Sequence, residues 1–155
     1  MAIFWNDGTE LYHYGILGQK WGVRRYQNPD GTLTEEGKRR YQKQYEKSIT
    51  RAISEVNAGS SSRHVRAYNL AANDMNNGGI DKFNTAWEKK HGQNYGEAYQ
   101  NAYQAAFDKL SNKYLRDLTR DDMNNNASYR KATQFADEIN RKYGKNTIKT
   151  LKINF

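Results

Sequence analysis

The chain has 155 residues and a net charge of +8, the length of one domain or of a domain with a docking arm. Leu, Ile, Val and Phe number only 24, but 12 Tyr and 3 Trp argue against the disorder that so few aliphatics would otherwise imply, so the expected core is small and made of rings and alanines. No apolar run is long enough for a membrane span, the first ten residues carry no secretory signal pattern, and the absence of Cys excludes disulfides, thiolate nucleophiles and Cys-ligated zinc.

Residues 1–33 hold Gly8, Gly15, Gly18, Gly22, Gly31 and the single proline, and read as an irregular arm. Within it, Asn28-Pro29-Asp30-Gly31 suits a type I turn, with Pro second and Gly fourth. Arg24–Gln27 and Thr32–Thr34 flank that turn, which predicts a small hairpin. From Thr34 the chain reads as a helical domain over 34–155. Thr34 supplies an N-cap hydroxyl, and Glu35 and Glu36 place acids in the first turn. Tyr41, Tyr45, Ile49, Ile53 and Val56 then recur at helical spacing, until Gly59 and the serines behind it end the helix.

A second stripe runs Val65, Tyr68, Ala72 and Met75, broken at Asn77-Gly78-Gly79. Ile80, Phe83 and Trp87 mark a short third helix ending near Gly92. Tyr99, Tyr103, Ala106, Leu110, Tyr114 and Leu118 make the longest stripe, and Asp121–Asn126 reads as a polar break behind it. Ala132, Phe135, Ile139 and Tyr143 form a fifth stripe ending at Gly144, a natural C′ glycine. Residues 147–155 alternate with period two, as a short strand does. The expected fold is therefore mainly α: a small domain of about five helices, with a short β element made by the arm hairpin and the C-terminal strand. Tyr45, Ile49, Tyr103, Leu110, Phe135 and Ile139 are the expected core.

Charge is uneven along the chain. Residues 1–51 have a net charge of +3, residues 52–129 are neutral and residues 130–155 carry +5. Positive charge at both ends suits an anionic partner. Lys38, Arg39, Arg40, Lys43 and Lys47 interleave with tyrosines, a pattern that can stack bases and contact phosphates or an acidic partner. Because the tyrosines continue into Ile49 and Ile53, they read as core and the cations as their solvated flank. Nucleic acid is then expected to bind only weakly and without sequence preference.

Chemistry-bearing patterns do not assemble. His13, His64 and His91 form no HExxH and no i, i+4 pair, so no metal site is expected. No GxxxxGK[ST] or GxSxG is present. Glu35-Glu36 and Asp121-Asp122 sit where acids complement a helix dipole. No catalytic residue and no cofactor is assigned, and the expectation is a protein that is not an enzyme.

Residues 11–41 read LYHYGILGQKWGVRRYQNPDGTLTEEGKRRY. They resemble the HYGxxGxKWGVRR…NxDGxLTxxGxxRY segment found in proteins of tailed phages and prophages of Gram-positive bacteria, often in or beside head and virion proteins. Residues 66–84 resemble a helical AYN…MNNGxID region that can follow it. The resemblance implies a phage or prophage protein without established enzymatic activity, located in the virion or the host cytoplasm. Its partner would be a protein, either a virion component or a host defence protein bound and blocked; no membrane contact is expected. Tyr12, His13, Tyr14, Lys20, Trp21, Arg24 and Arg25 are the residues expected to bind it, because Tyr, Trp and Arg are the types enriched at interface hot spots.

Overall fold

The computed structural model describes residues 26–153, and these are mainly helical. The element order is α1 (Glu35–Ala58), α2 (Ser60–Asp74), a kinked turn (Met75–Gly79), α3 (Ile80–His91), α4 (Glu97–Asn125) and α5 (Ala127–Tyr143). The boundaries follow local chemistry. Thr34 Oγ1 accepts the Gly37 N–H at 3.1 Å, which is N-cap geometry for α1. Asn77 and Gly78 leave helical geometry, Gly78 with φ of 105°. Gly92 ends α3 at φ 64° and Gly144 follows α5 at φ 109°, both in the left-handed region where glycine costs least.

The chain divides into two compact units. Among the described residues, the first contains 26–47 and 132–151, the second 48–131 and 152–153. In the first, Leu33, Tyr45, Ala132, Ala136, Ile139 and Ile148 are buried. Tyr41 meets Phe135 edge-on at 5.9 Å and stacks with Tyr143 at 6.1 Å. Gly37 lies against the backbone of Tyr26. A Cβ there would come within 2.5 Å of the Tyr26 carbonyl, so the glycine is what lets the chain before the turn cross the first turn of α1.

In the second unit, α2 and α4 pack through Ala71, Met75 and Phe107, with Ile80, Tyr103, Leu110 and Tyr114 around them. A second cluster joins Ala52, Val56 and Met123, flanked by Ile53, Tyr129 and Ile153. Arg63 is buried within this unit. Its Nη1 donates to the Val56 carbonyl at 2.7 Å and to Asp122 Oδ2 at 2.9 Å.

Several expectations need correction. The 147–155 segment forms no strand among the described residues. Extended chain needs partners for its main-chain groups, and here side chains supply them in place of a second strand. Asn140 and Gln42 carboxamides pair with Ile148 and Lys149, and the Tyr45 hydroxyl accepts the Leu151 N–H at 3.1 Å. Of the arm hairpin, one antiparallel bridge, Gln27 to Leu33, falls in the described residues. Its turn closes with Gly31 N–H to Asn28 C=O at 2.9 Å; Arg24 and Arg25 lie outside the described residues.

The second stripe is rotated. Val65 and Tyr68 are 62% and 58% exposed, while Arg63, Ala67, Ala71 and Met75 are buried. The alanines win that face because small side chains allow two helix backbones to approach closely. Asp121–Asn125 is not a break but the last turn of α4, kept helical by buried Met123 and the Arg63–Asp122 pair. Tyr45, Ile49 and Ile139 are buried as expected. Tyr103, Leu110 and Phe135 are only half-buried, because they border the clusters rather than fill them.

Candidate interaction surfaces

The expected partner-binding residues Tyr12, His13, Tyr14, Lys20, Trp21, Arg24 and Arg25 lie outside the described residues. Of the basic run, Lys38, Arg39, Arg40, Lys43 and Lys47 are all exposed on α1. Lys38 pairs with Glu35 at 2.7 Å. The Arg40 guanidinium lies 4.8 Å over the Tyr26 ring, and its Nη1 donates to the Tyr26 hydroxyl at 2.9 Å. That contact ties the start of α1 to the turn before it. Arg39, Lys43 and Lys47 have no carboxylate within ion-pair distance among the described residues.

A second surface, not singled out by the sequence reading, is the hairpin of α3 and α4. Phe83, Trp87 and His91 succeed one another at intervals of four along α3, and Tyr99 and Tyr103 do so along α4, with Tyr95 in the loop between the two helices. Trp87 stacks between Phe83 at 6.4 Å and His91 at 4.1 Å, and its edge meets Tyr99 at 5.6 Å. Tyr95 packs edge-on against Tyr99 at 5.1 Å. Each half of the cluster reads in the sequence as part of a helical stripe, but no local pattern shows that Phe83 and Trp87 pair with Tyr99 and Tyr103.

The polar handles of these rings are satisfied within the hairpin. Trp87 Nε1 donates to the Asn94 carbonyl at 2.8 Å, and the Tyr99 hydroxyl to Asn84 Oδ1 at 2.7 Å. The Tyr95 hydroxyl donates to Glu88, whose carboxylate raises the Tyr95 pKa above its ordinary value. With those groups paired internally, Tyr95 is the one Phe, Trp or Tyr ring of the cluster that is exposed, the others being half-buried. No residue of α3 is fully buried, and Tyr95 is 46% exposed. Such half-exposed ring clusters are the composition of protein-binding surfaces.

His64 and His91 are both exposed; the first turns its Nδ1 to the Ser60 carbonyl at 2.8 Å. Among the described residues, no three His, Asp or Glu side chains come close enough to hold a metal ion, and no helix is long and apolar enough to cross a membrane. An open groove lined by Ala105, Asp108, Lys109, Asn112, Leu115 and Arg116 runs along α4. All six residues belong to that one helix.

Residues 8–28 match the model of a family of unknown function, DUF7211. No curated protein and no solved structure matches the chain.

Proposed function

We propose that this chain is a non-enzymatic phage or prophage protein that acts by protein–protein contact in the virion or during its assembly. The observation that carries the contact is the aromatic hairpin of α3 and α4 with its loop, where five rings and His91 gather and α3 buries no residue completely. Phe83 and Trp87 join α3 to Tyr99 and Tyr103 of α4, and Tyr95, 46% exposed at the edge of the cluster, is the ring best placed for a partner. Val65 and Tyr68, both exposed on α2, add apolar area in the same unit. The phage context comes from the resemblance of residues 11–41, and the Tyr, Trp and Arg residues between Tyr12 and Arg25 are proposed as a further contact.

The test uses particles induced from the host that carries the gene. The full chain should co-purify with them. Tyr95→Ala combined with Tyr68→Ala should weaken that association by roughly thirtyfold, the loss of about 2 kcal/mol expected at an interface anchor. The melting temperature should stay within a few degrees, since Tyr68 and Tyr95 are both exposed. A chain absent from particles overturns the virion reading, and its recovery on a host defence nuclease favours action as a blocking inhibitor.

A further inference from the structure

We infer that the exposed face of α1 and the tail held beside it form one surface for the phosphodiester backbone of nucleic acid. It lies in the first unit and does not depend on the aromatic hairpin. The carrying feature is a junction that the sequence order conceals. Arg39, Lys43 and Lys47 succeed one another at four-residue intervals, so they form a row with a rise of about 6 Å between neighbours. Gln42 lies between Arg39 and Lys43 in the chain, and its carboxamide holds both main-chain groups of Lys149. The Lys149 N–H donates to Gln42 Oε1 at 2.9 Å, and Gln42 Nε2 donates to the Lys149 carbonyl at 3.2 Å. The main chain of a lysine 107 residues away in sequence is thereby held against α1 next to the row.

The charges on this face are not neutralised by one another. Lys38–Glu35 is the one ion pair of the unit among the described residues. Glu46, the acid nearest Gln42, accepts from Gln42 Nε2 at 2.9 Å. Arg39, Lys43, Lys47 and Lys149 are exposed, and among the described residues none has a carboxylate within ion-pair distance; Arg39 acts on Glu35 only through its field.

A regularly charged polymer fits such a row better than the other anionic surfaces do. A bilayer would need an apolar face to insert, but the apolar side of α1, with Tyr45, Ile49, Ala52 and Val56, is buried. An acidic protein would be expected to meet anchors in a desolvated pocket, and this row of cations contains no exposed ring. Lys and Arg without carboxylate partners are what phosphate contacts require, with affinity coming from released counterions.

The experiment titrates a fluorescein-labelled DNA duplex of about 20 base pairs with the full chain between about 50 and 200 mM salt. Arg39→Glu/Lys149→Glu should weaken binding at least tenfold and reduce the slope of log K against log salt by about two, since each lost phosphate contact removes about 0.9. Lys89→Glu/Lys90→Glu, the same change of net charge placed on α3, should weaken binding far less. Lys149→Gln removes the tail's cation while leaving its main chain on Gln42, and should reduce the slope by about one. Thermal melting checks that each variant folds, and if Lys149→Gln does not, Lys43→Gln takes its place with the same expected slope change. Equal losses from the two charge reversals overturn the inference. So does an unchanged slope for Lys149→Gln in a folded protein, or binding to poly-glutamate or to phosphatidylserine vesicles with none to DNA.

Discussion

The Asn140 side chain binds the main chain of Ile148 at both of its polar groups, accepting the N–H at 2.7 Å and donating to the carbonyl at 3.1 Å. A carboxamide has the same donor and acceptor pair as a peptide unit, so Asn140 does for Ile148 what a neighbouring strand would do. Gln42 repeats the arrangement at Lys149. The result is an extended tail whose Ile148 side chain is 1% exposed, anchored without a sheet.

Asn140→Ala should therefore cost about 2 kcal/mol, the penalty for leaving buried main-chain groups without partners. Asn140→Asp keeps an acceptor for the Ile148 N–H but removes the donor to its carbonyl, and should also destabilise. Urea unfolding measures both losses. Hydrogen exchange at the Ile148 amide should accelerate in Asn140→Ala, and unchanged protection there would refute the anchor.

Arg63 and Asp122 are unequal partners. The Arg63 side chain is 5% exposed and that of Asp122 39%. Removing Asp122 leaves a buried guanidinium without its counter-charge, whereas removing Arg63 leaves a carboxylate that water can reach. Asp122→Ala should cost about 1.5–3 kcal/mol, the range for a lost hydrogen bond to a charged group. Arg63→Met fills the site with an apolar chain of similar length and should cost less. Equal chemical-denaturation midpoints for Asp122→Ala and the unaltered protein would show that the pair does not hold α2 to α4.

Glu55 makes stability depend on acid. Asn126, Arg51 and Ser128 hydrogen-bond its carboxylate, Asn126 most strongly, and lower its pKa from 4.5 to about 2. Asn126 also caps α5, its Oδ1 accepting the Tyr129 N–H at 2.8 Å. A depressed carboxylate pKa means that the unfolded chain takes up its proton first as pH falls. The stabilisation is complete above about pH 4.5 and is lost as pH falls toward about 2. Glu55→Gln cannot titrate, so the difference in unfolding midpoint between it and the unaltered protein should shrink across that window. A difference that does not vary with pH would remove Glu55 from the acid response.

The face that α2 buries can be tested by volume. Ala71 is 0% exposed, so Ala71→Leu should overpack the α2–α4 contact and cost about 1–3 kcal/mol. Val65→Ser, on the exposed side, should change stability by less than about 0.5 kcal/mol. Thermal or urea unfolding of the two variants distinguishes the assignments, and the reverse order of losses would restore the Val65–Tyr68 stripe to the core.

Leu110 lies between these extremes. Half-buried at the edge of the Ala71, Met75 and Phe107 cluster, it loses contacts on truncation without leaving a closed cavity. Leu110→Ala should cost about 2 kcal/mol, the low end for a core leucine, measured by urea unfolding. A loss above about 4 kcal/mol would place it at the centre of the cluster.

Local signals in the sequence determined the helices. Thr34 as a cap, Gly92 and Gly144 as stops, and the spacing of Tyr45 and Ile49 all act within one or two turns, and each appears in the structure where the sequence places it. The turn over Asn28–Gly31 was legible for the same reason. The choice of buried face on α2 was not. Its apolar residues Val65 and Tyr68 and its alanines Ala67 and Ala71 define two stripes, and only the close approach of α4 favours the smaller one. The break expected over Asp121–Asn126 falls only at Asn126; Asp121–Asn125 stay helical, because the acid that suggests a helix end is the partner of an arginine 59 residues earlier. The tail has strand periodicity, but periodicity does not say whether another strand or a pair of carboxamides will satisfy its main chain. The same is true of the surfaces: the α1 cations could be read in order, whereas the placement of Lys149 beside them depends on Gln42, a contact between distant residues that no local pattern encodes.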